Sequence, residues 1–398
     1  MSVLGWGIFV LAVAISLATH EAGHFLTAKA FRIKATRFFI GIGPTLWSVR
    51  RGETEYGIKA IPFGAFVKVV GMTSLDEDVD PADEPRSMRR HPRWQRAIVM
   101  AGGSIMQFGL AFLLLAGLAM GIGLQNGNTA RLGAIGRCVP ASAKALDRGT
   151  CSARAAASPA ERAGLRTGDQ VVAFDGRAVA SWTQLSRDIQ RIPAGHAVTI
   201  QVVRDGQRLT LHPVLAAVAG RPGGYLGVSP TTVFQTVGPV GAAEYAGRTF
   251  GSVLAGSAKV VESIPAAIPN LFSPNRAHTA AGQIGSLVGA GEVTNSVVSA
   301  HLGWQLKTAY VLLIIASLNI FLGAFNLLPL LPLDGGHLAV IGYERLRAWL
   351  ARLRGRTDPG LADLTRLIPV SLAVFGILVL FSLVLVVADI VNPVATHL

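Results

Sequence analysis

Four stretches of the chain, residues 3 to about 28, 97 to about 124, 308 to about 331 and 367 to about 388, are almost wholly apolar. Each exceeds the ~20 residues that a helix needs to cross a hydrocarbon core of about 30 Å. Between the first two, polarity returns in a different rhythm. Thr36–Val49 and Glu55–Val70 are rich in β-forming residues, and Arg50-Arg51-Gly52-Glu53 between them reads as a hairpin turn. Gly41-Ile42-Gly43-Pro44 and Pro62-Phe63-Gly64-Ala65-Phe66 break these strands into loops, and the acidic, proline-containing residues 76–85 read as a surface turn. Residues 125–218 alternate strand, turn and helix signals. They include a helix from Trp182 to about Ile192 and two strands, His196–Arg204 and Gln207–Val214, joined by Asp205-Gly206. Residues 230–305 are rich in glycine and alanine. Their segments 240–268 and 284–300 read as short amphipathic or interfacial helices, interrupted by Pro265, Pro269 and Pro274, or as plain linker.

This pattern predicts a polytopic α-helical membrane protein of about four spans, with a membrane-associated β-loop and an inserted soluble α+β domain. Its organisation follows as 1–124, first half of the membrane core; 125–218, soluble domain; 219–305, interfacial helices and linker; and 306–398, second half of the core. Composition agrees: 51% of residues are hydrophobic and only 15% charged, well under the quarter typical of soluble domains. The net charge of +13 then reads as topology. Lys29, Arg32, Lys34 and Arg37 follow the first span, Arg86 to Arg96 precede the second, and Arg345 to Arg356 follow the third. Positive residues collect on the cytoplasmic side, so both termini and the 125–218 domain are expected outside it. No basic motif interleaved with aromatics points to nucleic acid. A signal peptide fits poorly, because no basic residue precedes the apolar run and no small-residue cleavage site ends it.

The candidate chemistry lies inside the first span. His20-Glu21-Ala22-Gly23-His24 puts two imidazoles on one helical face a turn apart, where they can hold one zinc ion, with Glu21 as general base on a water at that metal. Unpaired in lipid, these three side chains would be costly, so the apolar setting strengthens the reading. A catalytic zinc wants three protein ligands and an open position. The third span ends in Asn326-Leu-Leu-Pro-Leu-Leu-Pro-Leu-Asp334-Gly-Gly-His337. The alternating directions of the spans bring Asp334 to the depth of the two histidines, near the cytoplasmic face. His337, one turn on, reads as a neighbour or packing residue, not a ligand. Gln107, near the cytoplasmic end of the second span, reads equally as an interhelical hydrogen bonder or a functional amide, and Asn319 inside the third span is a functional candidate. Cys138 and Cys151 can be joined in an oxidising compartment; two unpaired thiols are the alternative.

Taken together, these residues resemble the site-2 protease family of intramembrane zinc metalloproteases, and specifically the bacterial type that cleaves membrane-bound anti-sigma factors. The likeness is carried by His20-Glu21-x-x-His24, Gly41-Ile42-Gly43-Pro44, Pro62-Phe63-Gly64 and Asn326-Leu-Leu-Pro…Leu333-Asp334-Gly335. The domain inserted between spans two and three resembles a bacterial PDZ domain through Ala163-Gly164-Leu165-Arg166-Thr167-Gly168-Asp169; for its carboxylate loop, Leu132-Gly133-Ala134-Ile135 is a weak stand-in. The single PDZ-like domain, the cysteine pair and Thr45-Leu46-Trp47-Ser48 look most like the actinobacterial branch. The resemblance implies that His20, His24 and Asp334 bind one zinc, that Glu21 activates water, and that Asn326 helps position substrate. Gly64, Ala65, Phe66 and Gln107 stand at substrate-positioning motifs where this chain departs from the usual family residues.

The implied activity is hydrolysis of a peptide bond in or near the transmembrane segment of a single-pass protein, an anti-sigma factor, in the bacterial inner membrane. Its partners would be that substrate, the lipid bilayer and a peptide at the PDZ-like domain. The β-loop at 55–70 would add a strand to the unwound substrate. A membrane scaffold or receptor with a peptide-binding domain is the alternative, as is a metal transporter. A scaffold has no use for Glu21, and a transporter would spread polar sites along a path. Oligomeric state is left open.

Overall fold

A computed structural model describes residues 3–72, 79–142, 145–146, 150–152, 155–273, 276, 279, 285–363 and 367–391. Pro274 and residues 76–78 of the acidic 76–85 turn lie outside them. Two compact units are present: Ile122–Val237, and a second formed by Met1–Gly121 with Gly238–Leu398.

The membrane unit begins with α1, Val3–Ala30. A long bent sheet follows, made of β1, Ala35–Arg51, and β2, Thr54–Val69, which meet at the expected turn, where Gly52 takes φ 62°. Its register is unusual. Residues 37–40 face 65–68 on one side and 55–58 on the other, and 55–58 also face 47–50. Both strands therefore fold back on themselves, and the order across the sheet is 47–51, 54–58, 35–40, 65–69. Gly41 and Gly64 sit at the bends with φ 92° and 97°, a region that side chains rarely adopt. The helix α2, Arg93–Gly117, then crosses α1 at close range. A Cβ on Gly23 would lie 2.1 Å from the carbonyl oxygen of Gly102, so only glycine allows this approach.

The second unit extends further than 125–218, because two late strands pair with two early ones. β3, Leu124–Asn126, and β4, Leu132–Ile135, precede a capped turn of helix, α3, Pro159–Arg162, whose Ser158 hydroxyl accepts from the Glu161 N–H. A four-stranded sheet is built from β5, Gln170–Phe174; β6, Arg177–Ala178; β7, Ile200–Arg204; and β8, Gln207–Leu211, in the order β6-β5-β7-β8. The helix α4, Trp182–Arg191, separates β6 from β7. β9, Val228–Pro230, pairs with β4, and β10, Val233–Gln235, with β3. Leu132, Phe174, Leu185, Ile200, Leu215 and Leu226 centre its core. Asp169, 1% exposed, accepts from Arg204 at 2.8 Å through both carboxylate oxygens. Burial acts most strongly on Asp169 and raises its pKa, but Arg204 and the Arg166 N–H together outweigh it and hold the carboxyl below its ordinary value. Cys138 and Cys151 are disulfide-bonded.

The chain re-enters the membrane unit as α5, Pro239–Ala267, one 29-residue helix where short pieces were expected. Pro265 lies in its last turn, where little helix remains to be broken. Then come α6, Leu287–Ser299; α7, Trp304–Asn326; α8, Asp334–Leu353; and α9, Ile368–Val391. Four helices, Val3–Ala30, Arg93–Ile122, Trp304–Asn326 and Ile368–Val391, are long and apolar enough to cross a membrane among the described residues. The third stops at Asn326, earlier than expected, because Pro329 and Pro332 follow. Asn319 is buried in it and donates to the Ser16 hydroxyl on α1 at 2.9 Å. At the end of α9, buried Asp389 accepts from Arg276 and from Ser286, each at 2.6 Å.

Candidate metal centre and active site

His20 and His24 both lie buried on one face of α1. Asp334 opens α8 directly after the broken segment 327–333, which Gly335 lets turn tightly: a Cβ there would sit 2.2 Å from the Leu328 carbonyl oxygen. The result is a convergence of the three side chains. Nε2 of His20 and Nε2 of His24 lie 3.1 and 3.2 Å from Oδ2 of Asp334, and 3.2 Å from each other. One ligand atom from each residue falls within a 4.8 Å group.

The outer sides of the two rings explain which atoms face inward. Nδ1 of His24 lies 2.7 Å from the Val99 carbonyl oxygen, which can only accept. The proton therefore sits on Nδ1, and Nε2 carries the lone pair. His20 is arranged alike, with Nδ1 3.2 Å from Oε1 of Gln107. Gly103 lies flat beneath the His20 ring; a Cβ there would come within 2.5 Å of it. Asp334 Oδ2 is buried, and despite its short distances it has no directed hydrogen-bond donor. Two imidazole lone pairs and a buried carboxylate oxygen meeting without a proton between them is unfavourable unless a cation sits there. Nitrogen and oxygen donors of this kind, with three protein ligands, suit zinc.

Glu21 faces the same region from the neighbouring helical position. Its Oε2 accepts from the backbone N–H of Val67 at 2.9 Å. Val67 belongs to 65–69, a strand at the edge of the sheet, and its N–H points away from residue 38, its partner. The strand segment 54–58, by contrast, is paired on both sides. The free edge beside Glu21 is therefore 65–69, the outer part of the 55–70 loop, because a strand folded twice can have only its outer segments unpaired.

The other candidate residues fall as follows. Gly64 forms the bend before the edge strand, Ala65 begins that strand, and Phe66 stacks on Phe39 with ring centroids 5.4 Å apart. Gln107 is fully buried, with Oε1 on His20 and Nε2 without a partner. Asn326 ends α7, partly buried, and its side chain makes no hydrogen bond among the described residues. His337 lies outside the three-ligand group and lines a small cavity with Arg96 and Glu344. Val67 and Val99 act through backbone groups, which no side-chain pattern could reveal.

In the second unit, Leu132–Ile135 is a paired strand, with Leu132 buried in the core. A cleft lies elsewhere, between Trp182, Ser186 and Ile189 of α4 and the stretch Tyr225-Leu226-Gly227-Val228. The N–H groups of Leu226 and Gly227 have no acceptor among the described residues, and Gly227 has φ 87°.

Comparison with known proteins agrees with this chemistry. The model of the family described as peptidase family M50 matches residues 8–356. The chain is 33% identical to the zinc metalloprotease Rip1 of Mycobacterium tuberculosis (strain ATCC 25618 / H37Rv), over 99% of each chain. Identity to Rip1 of Mycolicibacterium smegmatis is also 33%, over 98% of each. The zinc metalloprotease RasP of Shouchella clausii is 26% identical, covering 85% of this chain and 90% of that one. The chain belongs to peptidase family M50, the site-2 proteases, and is a zinc metalloprotease of intramembrane proteolysis.

Proposed function

We propose that His20, His24 and Asp334 hold the zinc, that Glu21 is the general acid–base, and that the edge strand 65–69 receives the substrate. The observation that carries this reading is the meeting of both Nε2 atoms and Oδ2 beside Glu21. When bound, zinc supplies a Lewis acid that polarises the scissile carbonyl and lowers the pKa of water. Glu21 takes the proton from the attacking water and returns it to the leaving amine. Its hydrogen bond from the Val67 N–H aims the carboxylate at the sheet's free edge.

A helical substrate hides its amides in internal hydrogen bonds, and in lipid it cannot give them up without replacements. The outward backbone groups of 65–69 other than the Val67 N–H, which Glu21 holds, provide them in an extended pairing, which lays the scissile bond beside Glu21. The free amide of Asn326 is available to hold the substrate carbonyl. Gln107 serves instead to orient His20: its burial leaves no route to substrate, and its oxygen is spent on Nδ1.

The substrate is a single-pass membrane protein, an anti-sigma factor by the family likeness, and the enzyme lies in the bacterial inner membrane. Lys29 to Arg37, Arg86 to Arg96 and Arg345 to Arg356 put the site near the cytoplasmic face with both termini outside. The unit Ile122–Val237 reads as a PDZ-like module that binds a peptide C-terminus at Leu226-Gly227, in place of the Leu132–Ile135 loop, since two free amides at a positive-φ glycine form an anion-binding concavity.

Glu21→Gln in the full chain, reconstituted with a model transmembrane peptide, tests the central assignment. The variant is expected to keep one zinc per chain and lose cleavage. Retained cleavage would remove Glu21 from the mechanism, and lost zinc would make it a ligand.

A further inference from the structure

The helix α8 carries two opposed faces. One packs inward through Ile341, Glu344 and Ala348. Ile341 joins the cluster containing Ala28 near the end of α1 and Val99 and Met100 near the start of α2. Glu344, 2% exposed, accepts from Arg96 at 2.8 Å. This helix therefore lies at the level where two spans leave the hydrocarbon core on the same side.

The opposite face is apolar and uncovered. Tyr343, Leu346, Leu350 and Leu353 follow at steps of three and four residues, 56%, 53%, 38% and 66% exposed. Trp349, 55% exposed, lies beside them. At 100° per residue this stripe points almost directly away from Ile341, Glu344 and Ala348. Exposed arginines border it on both sides, Arg345 and Arg352 on one flank and Arg354 on the other. The helix is not among the four long and apolar enough to span a membrane.

We propose that α8 lies in the plane of the membrane interface, with the Tyr343–Leu353 stripe in the acyl boundary and Arg345, Arg352 and Arg354 on the phosphates of an anionic leaflet. An apolar stripe of this width left in water is a costly exposure. A soluble partner could cover it, but two features select lipid. The helix is level with the ends of α1 and α2, and its cations sit at the borders of the stripe, where guanidinium groups reach headgroups while their stems stay on apolar surface. Since Asp334 is the first residue of this helix, the same seating steadies the carboxylate.

The test uses the full chain in nanodiscs. The native cysteines are joined to each other, so Leu346→Cys gives one site for a fluorescent label. The label is expected to be shielded from aqueous iodide. Phosphatidylglycerol with a spin-labelled headgroup should quench it roughly fivefold more strongly than equally labelled phosphatidylcholine at the same mole fraction. That preference should vanish when Arg345, Arg352 and Arg354 are changed to glutamine. A photoreactive phosphatidylglycerol should also cross-link to peptides from 343–353 in the unsubstituted chain, a reading that does not depend on any variant folding. Iodide access, or shielding without quenching by either lipid, as under a protein partner or a second copy, would overturn the proposal. So would equal quenching by both lipids.

Discussion

Replacing Gln107 by leucine removes the oxygen that faces Nδ1 of His20 while keeping the volume of the side chain. The structure sets the size of the effect. The bond is 3.2 Å long and both groups are buried. The ring N–H would be left unsatisfied, which costs about 1–3 kcal/mol. The imidazole can avoid that cost by moving its proton to Nε2, but then the nitrogen that should bind metal no longer has a lone pair. Either way the price falls on metal binding, and about 1.4–2.7 kcal/mol corresponds to the 10–100-fold loss of affinity typical when an orienting partner of a metal-bound histidine is removed. Competition against a chelator of known zinc affinity reads this directly in detergent-solubilised chain. Gln107→Glu keeps an acceptor at the same place and is expected to restore affinity. If the leucine variant binds zinc as tightly as the parent but raises KM for substrate, Gln107 belongs to substrate binding and the orienting role is wrong.

Val67→Pro removes the N–H that Glu21 accepts without breaking a rung to residue 38, so cleavage per bound zinc should fall by about tenfold, the scale of one lost charge-assisted hydrogen bond; an unchanged rate would refute the aiming of Glu21 by Val67. A proline at 56–58 is a poorer probe, since that segment is paired on both sides and the sheet itself would fail. Glu53, at the hairpin turn, is held at about pKa 2, chiefly by its ion pair with Arg86 and also by Lys29, against an ordinary value of 4.5. A lowered folded-state pKa means the stabilisation is present above pH 4.5 and is lost as pH falls from 4.5 towards 2. Protease sensitivity of the 50–54 turn should therefore rise across that window in the parent and not in Glu53→Gln. Cys151→Ser opens a loop with a sequence separation of 13 and should cost the Ile122–Val237 unit about 3 kcal/mol, read by hydrogen exchange in the full chain.

The spans are legible in the sequence because hydropathy is local, and His20 and His24 because a four-residue step on a helix has one geometric meaning. Asp334 needed only the alternating direction of the spans. What is not legible depends on contacts between distant segments or on backbone atoms. The free edge of the sheet is invisible because residues 35–69 read as a simple hairpin, while the register makes 37–40 pair twice. The role of Gln107 is set by which ring lies across the helix interface, and Gly103, which makes room for that ring, gives no sign of it in sequence. Leu132–Ile135 is only a weak stand-in for a carboxylate loop in sequence, and it is a paired strand; the free amides occur at Leu226 and Gly227 among the described residues. The helix α8 is not legible in sequence because its outward face is apolar and its inward face contains Glu344, the reverse of a soluble helix.

The two histidines emerge with the first span, while the carboxylate that completes the trio is made only after the inserted unit and α7 have been synthesised. On the ligand assignment above, a nascent chain holding α1 and α2 presents two imidazoles and a glutamate but only two of three metal ligands. Such a chain cannot carry out hydrolysis while it still sits among unfolded membrane segments in the insertion machinery. On that assignment, the order of residues along the chain delays activity until assembly is nearly finished.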